Sequence, residues 1–167
     1  NFLLGILNKT VNPDLIKAKY GSGINVAIDT LGDNYIEEIK SWPSVDYFSR
    51  EGLTIKLCHG SPWDTDQYVY PDAEISLLKS CEDKECDYIL LGHTHYPFIF
   101  RGDESVIINP GSVGQSRIHG GIADWLILDT ERNVLVAKQS RYDVTRLKKL
   151  VVQTDPQLSY LYSVLDR

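Results

Sequence analysis

The fold is decided by the stretch Tyr88-Ile89-Leu90-Leu91-Gly92-His93-Thr94-His95. Its first four residues form a short apolar run of the kind that a buried strand contributes to a sheet. Gly92 then lacks a side chain where the backbone turns off the strand. Histidines two residues apart point to opposite sides of a helix but to the same side of an extended segment. We therefore expect His93 and His95 to share one site.

A second apolar run, Thr54–Cys58, also ends at a histidine, because His59-Gly60-Ser61-Pro62 follows it. In open α/β sheets ligands bind at the carboxyl ends of the strands, which places His59 on the same rim as His93 and His95. Imidazole is a common ligand of Zn, Mn, Fe and Ni, so the three histidines predict a metal site. His119 lies in a Gly-rich loop without a paired ligand and is interpreted as an ordinary surface or structural histidine.

The number of metal ions depends on carboxylates. Three neutral imidazoles and a water can hold one Zn²⁺. Two divalent cations need anionic ligands, and no spacing singles out any of the available Asp64, Asp66, Asp87 and Asp103. From the residues alone, either one metal binds or the missing ligands lie upstream of Asn1.

A third segment, Asn109–Gly114, follows another apolar run and is rich in Gly and Ser. Such a turn can present backbone N–H groups to an anion, although an ordinary tight turn fits the pattern equally well. Arg117, just beyond it, is a candidate bidentate clamp for a phosphate, and a plain surface arginine is the alternative. The aromatic residues near these motifs, Trp63, Tyr68 and Tyr96, are typical of packing and are assigned no role.

Composition narrows the class of protein. The chain has 167 residues, 43% hydrophobic and 24% charged, which predicts one ordinary domain spanning residues 1–167. A net charge of −6 argues against general nucleic-acid binding, and no apolar run approaches the roughly 20 residues of a membrane helix. Cys58, Cys81 and Cys86 cannot all pair within one chain, and no C-x-x-C occurs, which favours reduced thiols and a cytoplasmic location. Nothing in the sequence fixes the oligomeric state.

The apolar pattern predicts an α/β or α+β fold in which helices and strands pack around a sheet. The predicted helices begin at Pro13 (ending near Gly21 and Gly23), at Asp33 (acting as the cap, with Pro43 ending the helix), at Pro71 (through Ser80, with Ile75, Leu77 and Leu78 as its apolar residues), at Asp143 and at Pro156 (through Leu165). The predicted buried strands are Thr54–Cys58, Tyr88–Leu91, Ser105–Ile108, Trp125–Asp129 and Val134–Arg141.

Taken together, the motifs resemble the calcineurin-like metallophosphoesterase superfamily. The matching pieces are His59-Gly60, the Gly92–His95 tetrad, and Asn109–Gln115 followed by Arg117. Their order and spacing are similar to those of the bacterial and archaeal phosphodiesterase-like branch, over roughly Leu53 to Leu150. The resemblance implies half or more of a four-layer αββα sandwich, with its N-terminal part missing.

The resemblance also implies two divalent metal ions (Mn, Fe, Ni or Zn), with His59 and His93 on one and His95 on the other. It implies an enzyme that hydrolyses phosphomonoesters or phosphodiesters by means of a hydroxide activated by the two metals, acting on a small phosphate-ester substrate. The family's earlier Asp-x-His, Gly-Asp and Gly-Asn-His/Cys motifs are not in this sequence, and the sequence contains no Met. We therefore expect a C-terminal part of a longer domain, with the bridging carboxylate and the catalytic acid upstream of Asn1.

Two alternatives remain open. The retromer scaffold subunit resembles these enzymes, so the same fold can serve protein assembly without catalysis. A chain that works alone with one metal held by three histidines is the other alternative, and it would bind one equivalent of metal rather than two.

Overall fold

The computed structural model describes the backbone of residues 2–167, and the side chain of Asp33 lies outside the described residues. The chain divides into two compact units. One unit contains the residues up to Trp42 together with Asp143–Asp166, and the other contains Pro43–Tyr142 and Arg167. That the whole chain forms one domain stays a prediction.

The second unit is built on a mixed five-stranded sheet. Its three central strands are parallel, and each edge strand pairs antiparallel with its neighbour. Strands covered on both faces need continuous apolar runs, and Ile55, Ile89, Ile107 and Ile108 are at most 1% exposed. The strand order is β1-β2-β3-β5-β4, with β1 at Val45–Arg50, β2 at Leu53–Cys58, β3 at Tyr88–Leu90, β4 at Phe98–Arg101 and β5 at Val106–Asn109.

Two further strands, β6 (Ile122–Asp129) and β7 (Val134–Arg141), form a separate antiparallel ribbon in the same unit. The predictions that Trp125–Asp129 and Val134–Arg141 are buried strands are wrong. Trp125 and Ile127 are exposed in β6, and only Leu135 and Val136 are even partly buried in β7. The reason is that successive side chains of a strand point to opposite faces, and the ribbon contributes only a few side chains from one face to the core. Leu126, Leu128 and Leu135 are the side chains that pack against the core of the larger sheet.

The first unit is helical. Helix α2 begins at Pro13 as predicted, where the side chain of Asn12 accepts a hydrogen bond of 2.9 Å from the Asp14 N–H. It ends at Gly21, whose φ of 89° requires a residue without a Cβ. The helices of this unit are α1 (Phe2–Leu7), α2 (Pro13–Tyr20), α3 (Gly23–Thr30), α4 (Asp33–Ser41), α6 (Val144–Thr154) and α7 (Tyr160–Ser163), followed by a 3-10 turn (Val164–Asp166).

The structure corrects several predicted helix boundaries. Asp33 is the first residue of α4 and Gly32 occupies the cap position, whereas Asp143 caps α6 through a bond from the Thr145 N–H. The helix predicted from Pro71 starts only at Ile75 (α5, Ile75–Ser80), because residues 71–74 form a turn. Ile75 is 63% exposed, so it is not part of the apolar face that Leu78 buries.

Three further differences follow from weak local signals. The helix predicted over residues 156–165 is reduced to α7 and the 3-10 turn. Helix α3 begins at Gly23, one of the two glycines near which the first helix was predicted to end. Strands β1 and β4 were not predicted: they are edge strands, and β1 is mostly exposed, so it lacks a continuous apolar run. The mixed α/β fold itself is confirmed, and none of the described helices is long and apolar enough to cross a membrane.

Candidate functional site

The three parallel strands deliver the sequence motifs to one edge of the sheet. In the register Leu57, Leu90 and Ile108 lie side by side, so the segments after β2, β3 and β5 leave the sheet at the same end. His59 follows β2, and the Gly92–His95 loop follows β3. The turn that begins with Pro110 follows β5.

Backbone hydrogen bonds join these segments directly. The Gly92 N–H donates to the His59 carbonyl at 2.8 Å, and the Arg117 N–H donates to the His95 carbonyl at 3.3 Å. A Cβ on residue 92 would lie 3.3 Å from the His59 carbonyl oxygen, which leaves little room for any side chain. Glycine at this position therefore allows the first two segments to approach.

His59 and His93 are brought together. The Nε2 atom of His59 lies 3.1 Å from Nδ1 of His93, with the two rings edge to face. The other ring nitrogen of His93, Nε2, is buried and finds no hydrogen-bond partner among the residues that the structure describes. Two nitrogens that each lie about 2.0–2.1 Å from a shared ion would be about 3 Å apart, so the pair fits a metal ion.

His95 is oriented by the turn after β5. Its Nδ1 donates to the Gln115 carbonyl at 3.0 Å, which leaves the Nε2 lone pair available. A backbone carbonyl that fixes the tautomer of the ring is a usual partner of a metal-ligating histidine. His95 therefore also fits the role of a ligand.

The histidine loop is not the extended segment that the spacing argument assumed. His93 and His95 have φ values of 61° and 60°, in the left-handed region that side chains with a Cβ rarely adopt. Thr94 between them is 2% exposed and points into the protein. Strain of this kind persists only where the surroundings enforce it, and it is concentrated at functional sites.

The surroundings favour the neutral form of two of the imidazoles, His59 and His95. Burial lowers the pKa of His59 from its ordinary value, and the neighbouring His93 lowers it further. Burial also lowers the pKa of His95; Arg117 and His93 act in the same direction, against the hydrogen bond to Gln115. A neutral imidazole is the form that binds a metal ion, so both shifts favour ligation at neutral pH.

Asn109 is a positioning residue that the sequence analysis interpreted only as part of a turn. It is 1% exposed, and its amide donates to the Gly92 carbonyl at 2.6 Å and to Thr94 Oγ1 at 3.0 Å. Its Oδ1 accepts from the Gly111 N–H at 2.9 Å. The signal that could have identified it is a polar residue at the buried end of an apolar strand.

The four candidate aspartates separate into two groups. Asp66 is near enough to His59 to act on its pKa, and Asp64 accepts a hydrogen bond from the Asp66 N–H. Asp87 precedes β3, at the opposite end of the sheet, where it accepts from the Thr54 N–H, and Asp103 pairs with Lys79. Only the first group lies beside the histidines.

Of the remaining predicted residues, Arg117 and His119 are on the surface, whereas Cys81 and Cys86 are buried. Arg117 is exposed, and its charge reaches His95. His119 is exposed as well, and its backbone N–H donates to Ser116 Oγ at 3.3 Å. Cys58, Cys81 and Cys86 are all free thiols. Within residues 2–167 no group of three or more His, Cys, Asp or Glu side chains is arranged to hold a metal ion, so the ligand set remains a prediction.

Comparison with known proteins gives the class. The sequence profile of the calcineurin-like phosphoesterase superfamily domain matches residues 21–133, and the chain belongs to that superfamily. No curated protein matches it.

Two solved structures share the fold. A hypothetical protein from Pyrococcus horikoshii OT3 superposes with a TM-score of 0.72 at 20% identity, over 97% of this chain and 64% of the other. A metallophosphoesterase from Sphaerobacter thermophilus superposes with a TM-score of 0.68 at 20% identity, over 85% of this chain and 66% of the other. This chain thus spans less than two thirds of the length of either protein.

Proposed function

We propose that this protein is a metal-dependent phosphoesterase that hydrolyses phosphomonoesters or phosphodiesters with two divalent cations. The observation that carries the proposal is the convergence of His59 Nε2 and His93 Nδ1 to 3.1 Å at the carboxyl edge of the parallel strands. Membership of the calcineurin-like phosphoesterase superfamily supports the reaction class. The number of cations, their identity and the kind of ester belong to the proposal.

The side chains have separate tasks. His59 and His93 direct nitrogens at one position, and His95 is held by Gln115 with its Nε2 free for a second. The exposed guanidinium of Arg117 binds an oxygen of the phosphoryl group, for which its planar fork of donors is suited. When bound, divalent cations supply activation of water and neutralisation of the charge on the phosphoryl oxygens.

Two cations carry more positive charge than three neutral imidazoles can balance. Asp66 is the carboxylate whose charge reaches His59. The proposal therefore includes anionic ligands in addition to the three histidines.

The test uses the full-length protein and a generic aryl phosphodiester. We expect turnover that a chelator abolishes and that one or more of Mn²⁺, Fe²⁺, Ni²⁺ or Zn²⁺ restores. His93→Ala and His95→Ala should each reduce the metal-dependent rate by at least about 100-fold while the protein remains folded. His119→Ala is the matched control and should keep the rate, because that histidine is exposed and is not among the three proposed ligands.

The outcome that contradicts the proposal is a folded protein with no turnover in any of the four metals. Such a protein would favour the non-catalytic scaffold. Metal analysis separates the remaining alternative, because two equivalents per chain agree with the proposal and one equivalent supports the single site of three histidines.

A further inference from the structure

A row of tyrosine rings borders one side of the histidine loop. The Tyr68 ring centroid is 4.1 Å from that of His93, and Tyr70 stacks on Tyr68 at 5.6 Å with 13° between the ring planes. Tyr96 meets Tyr70 edge to face at 5.8 Å. The row thus starts at His93 and returns to the residue that follows His95. We call Tyr68, Tyr70 and Tyr96 the tyrosine row.

The loop that carries Tyr68 and Tyr70 is fixed in place. Val69, between Tyr68 and Tyr70, is 2% exposed and belongs to the core cluster that includes Leu91 and Ile107. With Val69 directed into the core, the two flanking tyrosines are turned outward, and their rings stack on each other.

The preceding part of the loop is closed by short contacts. The Ser61 N–H donates to the Asp64 carbonyl at 2.8 Å, and the Asp64 N–H donates to Ser61 Oγ at 3.0 Å. A Cβ on residue 60 would lie 2.6 Å from the Asp64 carbonyl, so the backbone packs against itself here. The rings are therefore held in position before any ligand binds, which lowers the entropy cost of binding.

The rings of the row are not used for packing alone. Tyr68 is 48% exposed and Tyr70 is 39% exposed, although each is next to a buried residue. Exposed aromatic surface beside a small group of convergent polar atoms is typical of a ligand site, where the apolar surface binds the body of the ligand and the polar atoms orient it.

We propose that Tyr68 and Tyr70 bind a flat aromatic ring of the substrate, so that the substrate is a phosphate ester that carries a nucleobase or an aryl group. The phosphate lies at the histidines and the ring lies on the tyrosine row. Stacking suits this surface because every nucleobase or aryl ring has a π-face, whereas an alkyl or sugar phosphate has none. This inference rests on the proposed function for the position of the phosphate.

The experiment measures binding rather than turnover. Isothermal titration calorimetry on the full-length protein, freed of divalent metals by a chelator so that no ester is hydrolysed during the titration, compares adenosine 5′-monophosphate, phenyl phosphate and ribose 5-phosphate. We expect the adenosine compound to bind at least about tenfold more tightly than ribose 5-phosphate. Tyr68→Ala should remove most of that difference and leave the affinity for ribose 5-phosphate within about twofold.

Two variants serve as controls. Tyr68→Phe keeps the ring and should keep the preference, which separates stacking from the hydroxyl group. Phe48→Ala removes another exposed aromatic ring from the same unit. Phe48 pairs with Ile55, four residues before His59 and so about 13 Å away along the strand, and its removal should change neither affinity.

The inference is overturned if the wild-type protein does not prefer the adenosine compound, or if Tyr68→Ala weakens both phosphates equally. If phenyl phosphate and the adenosine compound both bind more tightly than ribose 5-phosphate by the same factor, the site accepts any flat ring. If only the adenosine compound binds more tightly, the site prefers a nucleobase. The proposed function is tested separately, by the hydrolysis of the aryl phosphodiester. A protein that binds the adenosine compound through Tyr68 without hydrolysing esters keeps this inference and loses the phosphoesterase.

Discussion

His93 and His95 occupy a backbone conformation that costs about 1–2 kcal/mol for each residue with a Cβ. Hydrogen bonds from neighbouring residues offset this cost. Asn109 holds the Gly92 carbonyl on one side and the buried Thr94 hydroxyl in the middle. The loop is therefore forced into the shape that displays two imidazoles and buries the threonine between them.

The strain at His93 leads to a first prediction about paired substitutions. His93→Gly and His93→Ala both remove the imidazole, but only the alanine keeps a Cβ in the left-handed region. We expect the glycine variant to have a free energy of unfolding about 1 kcal/mol higher than the alanine variant, measured by urea denaturation. The control is the pair Ser49→Gly and Ser49→Ala in the exposed strand β1. There the order should be reversed, with the glycine variant less stable than the alanine variant by about 0.5–1 kcal/mol. The same order at both positions would show that the loop is not strained.

Asn109 supports a second prediction. Asn109→Ala removes two donated hydrogen bonds and one accepted bond from a residue that is 1% exposed, and leaves buried backbone groups without partners. We expect a loss of about 2–3 kcal/mol of unfolding free energy. Asn34→Ala, on the exposed side of α4, should change it by less than about 0.5 kcal/mol. Equal effects of the two substitutions would mean that the Asn109 hydrogen bonds do not brace the loop.

At the scale of elements, β2 carries a buried cation next to its apolar residues. Lys56 is 8% exposed and contacts Asp83 at 3.0 Å, with the Tyr47 ring 5.2 Å from its ammonium group. Burial alone would lower the pKa of Lys56, but the hydrogen bonds to Tyr47 and Asp83 outweigh burial and raise it. The hydrogen bond from Lys56, together with the Glu85 N–H, lowers the pKa of Asp83.

This pair supports a third prediction, about stability and pH. Asp83→Asn leaves the Lys56 cation buried without its counter-charge, so we expect a loss of about 2–3 kcal/mol at pH 7. Because the folded pKa of Asp83 is lowered, its contribution is complete above about pH 4 and is lost as pH falls through the folded value, so wild type and variant should converge in acid. The matched control is Asp103→Asn, in the exposed pair with Lys79, which should change the free energy of unfolding much less than Asp83→Asn does. A difference that persists at pH 2 would contradict this explanation.

At the scale of the whole molecule, the sequence predicts the strands that are buried at the centre of the sheet. The central strands could be located because parallel strands covered on both faces require apolar runs, and the histidine motifs mark their ends. Edge strands β1 and β4 could not, since one side of each faces solvent and their composition is mixed. Propensity likewise suggested four more residues for α5 than tertiary packing allows.

The candidate site divides in the same way. Residue type and order predict His59, His93 and His95, but not the left-handed backbone that presents the last two, because φ at a histidine depends on contacts from a different strand end. The role of Asn109 depends on those contacts as well. The tyrosine row could not be told from packing residues, since only the structure shows that Val69 takes the buried position between two exposed rings.

The central claim is that His59 and His93 form one half of a metal site. Metal bound per chain, measured after equilibrium dialysis of the full-length protein against Mn²⁺, tests this most directly. We predict two equivalents for the wild type and for His119→Ala, and a loss of at least one equivalent for His93→Ala. Unchanged metal content in His93→Ala, with the protein folded, would contradict the account.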